Sequence, residues 1–493
     1  MSEIVERFDR IRRDSPNRPL IHLPVASRSV TAEALWLAAL SQRTLLAQLG
    51  LGPDHLVMSA AGNKPSAVSL WLASRAMGIA VMPVDVGTPA GEIAALAGRF
   101  GATVALLPRG AAGLESLGAP TAFGDDLVAV TLQGVSPAPE IYRGAAALKV
   151  TSGSTGLPKA TFTIESQLIA DTISITTAMD IRPGDCQVAA IPISHAYGLG
   201  NLVFPLLLQG TAIVLREAFV PQQLHADASR YGARVFPGVP FMFAHFASNP
   251  DSARWPRGLD SLISAGAPLD PAMASRFSAT FGIKIHSFYG ASETGGISFD
   301  DSPQLESEST VGRAMPGVTI ALRPEVGAPD GSGRIHVAGH AVSSGYAGLA
   351  PGDDGFTGDG YLTGDFGRFD DRARLVLTGR ASSFINVAGK KIQPEEVEQV
   401  LRGMPDIDDV RVLGMTDDVR GQQVVACIVA RRGGMTAPEV RHYCASRLAS
   451  HKVPRTIVWL DRIPITERGK TDRAKLERIV REYMNQSAEN GVL

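Results

Sequence analysis

Along most of the chain, short apolar runs alternate with apolar patterns of helical length. That alternation limits the fold more than any other feature. The runs at 80–84, 188–193, 212–215 and 283–288 have the length of strands, and 65–77 and 166–179 have the length and spacing of helices. Strands that alternate with helices predict an α/β architecture, with sheets and helices packed in layers. A chain of 493 residues has room for about two to four domains.

Charge is unevenly spread. Residues 380–493 carry 19 basic and 15 acidic side chains, a surplus of +4, while the remainder carries 28 basic and 34 acidic, or −6. The tail is also more densely charged. The expected division is a large domain at 1–380, made of several subdomains, and a small, highly solvated domain at 381–493. Pro and Gly clusters at 351–364 predict loops just before this boundary. In the tail, 394–401 reads as a helix, 410–413 and 423–429 as strands, and Thr436 with Glu439 as a capping box opening a helix through 447. The tail is therefore expected to be a compact α+β unit.

The net charge of −2 excludes the broad basic field that nucleic acid needs. Cys186, Cys427 and Cys444 are too few for a disulfide framework and fit no metal-site spacing. Residues 1–13 are charged and lack the apolar run of a secretory signal, so a cytoplasmic location is expected. The stretch 186–215 has no Asp, Glu, Lys or Arg and is long enough to cross a bilayer. It contains Pro192, His195, Asn201, Pro205 and several glycines, so it reads as a buried core segment with a turn, and no membrane span is expected.

The densest chemical signal is TSGSTGLPK at 151–159, after the apolar run 145–150. Two glycines allow an anion close to backbone amides, and the hydroxyls and one lysine add donors. The pattern fails the Walker spacing. By composition alone, a phosphate cradle and a flexible surface loop both remain open.

The wording of this loop resembles the signature of the adenylate-forming (AMP-binding) superfamily, which includes acyl- and aryl-CoA synthetases, peptide-synthetase adenylation domains and beetle luciferases. Further motifs follow in the family's order: SAGAPL at 264–269, YGASETGG at 289–296, YLTGDFGRFD at 361–370, LTGRASSFINVAGKKIQPEEVE at 377–398 and PITERGKTDRAKL at 464–476. The resemblance implies a two-step ligase. ATP and a carboxylic acid give an acyl adenylate and pyrophosphate, and a thiol then takes the acyl group. The implied acceptor is coenzyme A, with the phosphopantetheine of a carrier protein as the alternative. A regulator that binds nucleotide without catalysis is a third reading, opposed by the joint presence of Glu293, Asp365, Arg380 and Lys470.

The same resemblance implies site roles. Thr151, Ser152, Gly153, Ser154, Thr155, Gly156 and Lys159 would hold the β- and γ-phosphates. Gly266, Ala267 and Pro268 would lie along the base, with Tyr289 stacked on it and Gly290 beside it. Glu293 would bind Mg²⁺ and Thr294 the α-phosphate. Asp365 and Arg380 would hold the ribose, and Lys470 would stabilise the adenylation transition state. His195, Phe241, Met242 and Gly266 would line the acyl pocket. Gly389 would line the thiol tunnel, and Ser382 stands at the expected hinge, where the family usually has Asp or Lys. Asn386 also stands where many members carry Lys, and Ala160 where many have Gly. Read singly, each has a plainer meaning: a solvated Glu or Lys, a core Tyr or His, a turn Asp. No acidic residue lies in 186–215 or 235–249 to hold an ammonium group, which points to an aryl or aliphatic acid without a free α-amine.

Overall fold

The computed structural model describes all residues except 1, 137–141, 152–157, 249–254, 306–309, 326–327, 330, 348–354, 382–384, 388–389, 393, 418–420, 432–433, 449–451, 467–469 and 490–493. The chain divides into two compact units. The first comprises 1–320 and 337–362, and the second 321–336 and 363–493. The expected boundary at 380 falls inside the second unit.

The first unit is built on two large sheets. One has nine strands. Its central parallel run passes from Ala212–Leu215 through Cys186–Ala189, Val235–Gly238 and Ser261–Ser264 to Ile285–Ala291, and Gly295–Phe299 then returns antiparallel. The other has seven strands, with Leu56–Ser59, Ala80–Pro83 and Ala145–Thr151 parallel at its centre and Lys159–Ile164 antiparallel at its edge. The strand cores read as unbroken apolar runs because both faces are covered. Leu56–Ser59 and Ala80–Pro83 are buried at every position. The helix Pro65–Met77 starts with proline at its first turn and stops at Gly78, which adopts a left-handed backbone.

The uncharged stretch 186–215 is a strand, a short helical turn at Ala196–Gly198, a π-helical turn at Leu199–Val203, the helix Phe204–Gln209 and a second strand. No described helix is long and apolar enough to cross a membrane. The strand expected at 188–193 ends at Ala189. Beyond it, the Asn63 side chain replaces the ladder: its Nδ2 donates to the Ile191 carbonyl at 3.0 Å, and its Oδ1 accepts from the Ile193 amide at 2.9 Å. Pro192 between them has no amide to offer. All three cysteines are free and buried.

Glu165 ties the N-terminal helix Glu3–Asp14 to this unit. It accepts from the Ser2 hydroxyl at 2.8 Å, the Glu3 amide at 2.6 Å and Arg75 Nε at 2.9 Å. Burial would raise its pKa, but these donors prevail and hold the carboxyl below its usual value. A depressed carboxylate pKa stabilises the fold above the unfolded pKa, and the gain is lost as pH falls through the folded one. Glu165→Gln should therefore lower the melting temperature at neutral pH. The gap from wild type should close in acid, below the usual carboxylate range, as measured by thermal melts across pH.

In the second unit, Ile407–Asp417 and Gly421–Ala430 form a long antiparallel pair, joined in parallel by Thr456–Trp459 and backed by the helices Pro394–Arg402 and Ala437–Ala445. Leu413, Val425, Cys427 and Val458 pack on Leu476 and Val480 of the C-terminal helix Arg473–Glu489. The expected cap forms, with Glu439 Oε2 accepting from the Thr436 amide at 2.8 Å. The cluster at 351–364 includes a tight hairpin: Phe356–Thr357 pairs with the start of Gly360–Phe369 across Gly358 and Asp359, a turn length that suits Gly and Asp.

Candidate active site

In open α/β sheets, ligands bind beyond the carboxyl ends of parallel strands. The expected adenine and metal residues sit at such ends. Ser261–Ser264 runs into Gly266, Ala267 and Pro268, all exposed, and Gly266 holds a left-handed φ of +84°. Tyr289 and Gly290 lie in Ile285–Ala291, where Tyr289 is buried and Gly290 exposed. The turn from that strand into Gly295–Phe299 carries Glu293 and Thr294.

Glu293 is 9 % exposed. Its Oε1 accepts the Tyr346 hydroxyl at 2.7 Å, and the Tyr361 hydroxyl lies 3.2 Å from that of Tyr346. Burial and the Glu293 charge push the Tyr346 phenol well above its ordinary value, so it stays a donor. The amide of Ser343 donates to the Glu293 carbonyl at 2.8 Å, which holds 343–346 against the turn. The Thr294 hydroxyl donates to the Gly295 carbonyl at 3.1 Å, and its expected phosphate role requires exchanging that bond.

The glycine-hydroxyl loop joins two antiparallel strands, with Thr151 paired to Lys159 across it. A Walker loop instead runs from a strand into a helix, so the topology agrees with the failed spacing. Ser152, Gly153, Ser154, Thr155 and Gly156 lie outside the described residues. Lys159, at the far end of the loop, places Nζ 5.0 Å from the centre of the Tyr346 ring, a cation–π distance. The structure thus brings Lys159, Tyr346 and Glu293 into one group. Tyr346→Phe should leave the fold intact but remove a donor from a buried carboxylate. That costs about 1–3 kcal/mol, and adenylation should slow about tenfold as read by pyrophosphate release.

His195 caps the turn Ala196–Gly198. Its Nε2 lies 2.7 Å from Asp85 Oδ1, outside hydrogen-bond alignment, and Asp85 also accepts from the Ser194 hydroxyl at 3.2 Å. Phe241 is part-buried with its ring 5.9 Å from Phe219, and Met242 is packed in the core.

In the second unit, Asp365 and Arg380 face each other across paired strands, with Arg380 Nε 2.7 Å from Asp365 Oδ1. Lys470 is exposed and follows the undescribed 467–469. Its carbonyl accepts from the Thr466 amide at 2.7 Å, and Ile465 and Thr471 form a β-bridge around it. The hinge candidate Ser382 and the tunnel candidate Gly389 lie outside the described residues.

Four residues of these neighbourhoods were missed in the sequence. Asp85 and Tyr346 come from segments remote from the motifs. Asp171, in the helix Glu165–Ala178, accepts from the Gly296 amide at 2.8 Å. Lys149 is buried in the strand before the glycine-hydroxyl loop. A lysine within the apolar run 145–150 was a readable signal.

A family model described as "AMP-binding enzyme" matches residues 8–347. The chain belongs to the AMP-binding enzyme family. A second model, for the AMP-binding enzyme C-terminal domain, matches residues 396–470. Among relatives of known activity, a sulfoacetate–CoA ligase from Cupriavidus necator is 28% identical over 483 residues, covering 94% of each chain. A 2-succinylbenzoate–CoA ligase from Bacillus cereus is 27% identical, covering 69% of this chain and 71% of its own. The solved structure of ATP-bound MatB from Rhodopseudomonas palustris superposes with a TM-score of 0.80 at 23% identity, covering 97% of this chain and 99% of that one. As an AMP-binding enzyme the chain is a ligase, with the acyl-CoA synthetase branch as its set of relatives.

Proposed function

We propose that this AMP-binding enzyme is an ATP-dependent CoA ligase acting on an aryl or aliphatic carboxylic acid. The observation that carries the reading is the group of Glu293, Tyr346 and Lys159 beside the phosphate loop, in a chain whose relatives are CoA ligases. In the first step a carboxylate oxygen attacks the α-phosphorus of ATP, and the bond to the bridging oxygen breaks with pyrophosphate as leaving group. In the second step a thiol attacks the acyl carbon, loses its proton and expels AMP.

Two anions meet in the first step, so fixed positive charge and donors are the chief requirement. Lys159 and Thr151 bracket the loop that would hold the departing phosphates. Glu293 fits Mg²⁺, which binds through one or two carboxylates together with substrate phosphates. One Glu293 oxygen is taken by Tyr346, and its second oxygen can face a cation. The bound metal would neutralise charge on the phosphates. Tyr289, Gly266, Ala267 and Pro268 would receive the adenine, and Asp365 with Arg380 the ribose. Lys470 would contact the carboxylate and α-phosphate. Rotation of the domain beyond 380, about Ser382, would then bring Gly389 to the pantetheine path.

Asp85 brings an acid to His195, so the apolar segments do not account for every charge near that histidine. It is engaged by Ser194 and His195, which agrees with a substrate lacking a free amine. The test is pyrophosphate release with benzoate, octanoate and amino acids, followed by thioester yield with CoA and with a holo-carrier protein. Release with the first two acids and thioester with CoA support the proposal. A preference for amino acids, or thioester on the carrier alone, overturns it.

A further inference from the structure

The helix Glu165–Ala178 follows directly on Lys159–Ile164, the outer strand of the glycine-hydroxyl hairpin. Residues 343–347 run beside that strand. The Phe162 amide donates to the Gly345 carbonyl at 2.7 Å, the Ser344 amide to the Phe162 carbonyl at 2.9 Å and the Ala347 amide to the Ala160 carbonyl at 2.8 Å. The Thr163 and Ser343 hydroxyls lie 2.9 Å apart. This pairing brings Tyr346, and with it the bond to Glu293, beside Lys159.

One face of the helix is bonded to the same neighbourhood. Gln167, Asp171 and Ser174 recur at i, i+4 and i+7, which places them in one stripe. A helix face turned inward normally carries apolar side chains, as Ile175 does in packing with Phe288, Phe299 and Met315. The three polar residues instead each bond a different backbone segment. Gln167 Nε2 donates to the Val342 carbonyl at 2.7 Å and to the Ser344 hydroxyl at 3.1 Å, while its Oε1 accepts from the Ile164 amide at 2.9 Å. Asp171 Oδ1 accepts from the Gly296 amide at 2.8 Å. The Ser174 hydroxyl donates to the Pro316 carbonyl at 2.7 Å. Asp171 is wedged against the Glu293 turn: a Cβ on Gly295, whose φ is +70°, would stand 2.3 Å from the same Oδ1. Glu293 is therefore held from two sides. Asp171 fixes the turn that carries it, and Gln167 fixes the segment that ends in its partner Tyr346.

We propose that Gln167 and Asp171 are positioning residues that set Glu293 for a metal-bound nucleotide, with the helix Glu165–Ala178 as the rigid link to the glycine-hydroxyl hairpin. The proposal rests on the reading of Glu293 as the metal-facing carboxylate. Groups that orient a metal-binding side chain matter nearly as much as the side chain itself, and their loss lowers metal affinity about 10–100-fold. Ser174 shares the face but bonds Pro316, outside the turn and outside 342–346, so it serves as the control.

Gln167→Glu keeps an acceptor for the Ile164 amide, and so the helix start, but sets a carboxylate oxygen against the Val342 carbonyl. Asp171→Ala removes the acceptor for Gly296, and Asp171→Asn returns one. Calorimetry of ATP binding to the full-length protein, with Mg²⁺ and again with EDTA in its place, separates positioning from packing. Gln167→Glu and Asp171→Ala should each weaken MgATP binding about 10–100-fold, while metal-free ATP binding changes far less. The charge added by Gln167→Glu would by itself act more strongly on metal-free ATP, the more anionic ligand, so a selective loss of MgATP is not a charge effect. Asp171→Asn should recover most of the loss, and Ser174→Ala should keep the wild-type ratio of the two affinities. Melting curves accompany the titrations, and if Asp171→Ala does not fold, Gln167→Glu decides alone. Unchanged affinities, equal weakening with and without Mg²⁺, or as large a change of the ratio in Ser174→Ala would make the stripe a structural brace only and overturn the proposal. The titrations need no turnover. A wild-type protein that binds MgATP yet releases no pyrophosphate with any acid therefore refutes the ligase reading alone, while a selective loss of MgATP in the variants still supports the positioning role.

Discussion

Replacing Lys470 with alanine should slow acyl-adenylate formation by about 10²–10³-fold, equivalent to losing about 3–4 kcal/mol of transition-state stabilisation. Thioester formation from a preformed adenylate should run at the wild-type rate. The asymmetry follows from charge. Adenylation brings a carboxylate onto a triphosphate, and the exposed ammonium of Lys470, held near the β-bridge of Ile465 with Thr471, would supply the donor that this step needs. The thiol step has no comparable meeting of anions. Single-turnover measurements on each half-reaction check the prediction. Equal loss in both would mean that Lys470 serves the architecture of the second unit.

Glu293→Gln should lower pyrophosphate release by a similar order, about 10²-fold or more, with the fold retained. Glutamine keeps the size and can still accept from Tyr346, so only the negative charge is removed. The loss should shrink as Mg²⁺ is raised, because metal then arrives mainly through the ATP phosphates. Rates measured across a magnesium series with melting curves in parallel decide it. A variant that adenylates at the wild-type rate at every Mg²⁺ concentration would remove Glu293 from the metal site.

The α/β class and most element positions were legible from apolar periodicity. The helix Pro65–Met77 and the strand Ala212–Leu215 fall where the pattern places them. Ile407–Asp417 extends beyond the expected 410–413 because polar residues outside that apolar run still pair along one long hairpin, Asp409 with Val429, Thr416 with Gln422 and Asp417 with Gly421. The stop at Ala189 depends on Asn63, a partner more than a hundred residues away in the chain, which no local pattern can show. The site divides in the same way. Glu293 and Lys159 are carried by contiguous motifs. Tyr346 and Asp85 belong to the neighbourhoods of Glu293 and His195 through tertiary pairing, as in the bridge of Thr161 with Tyr346. Lys149 was visible as a charge inside a strand, but its burial appears only once the layers are packed.

On the proposed function, this chain couples ATP cleavage at the α-phosphorus to acyl transfer onto CoA. The most direct measurement follows AMP, pyrophosphate and acyl-CoA together in one reaction containing ATP, Mg²⁺, CoA and a candidate acid. Equal amounts of the three products, dependent on the acid, are the predicted result. ADP and phosphate in their place, or pyrophosphate release without any thioester, would contradict it.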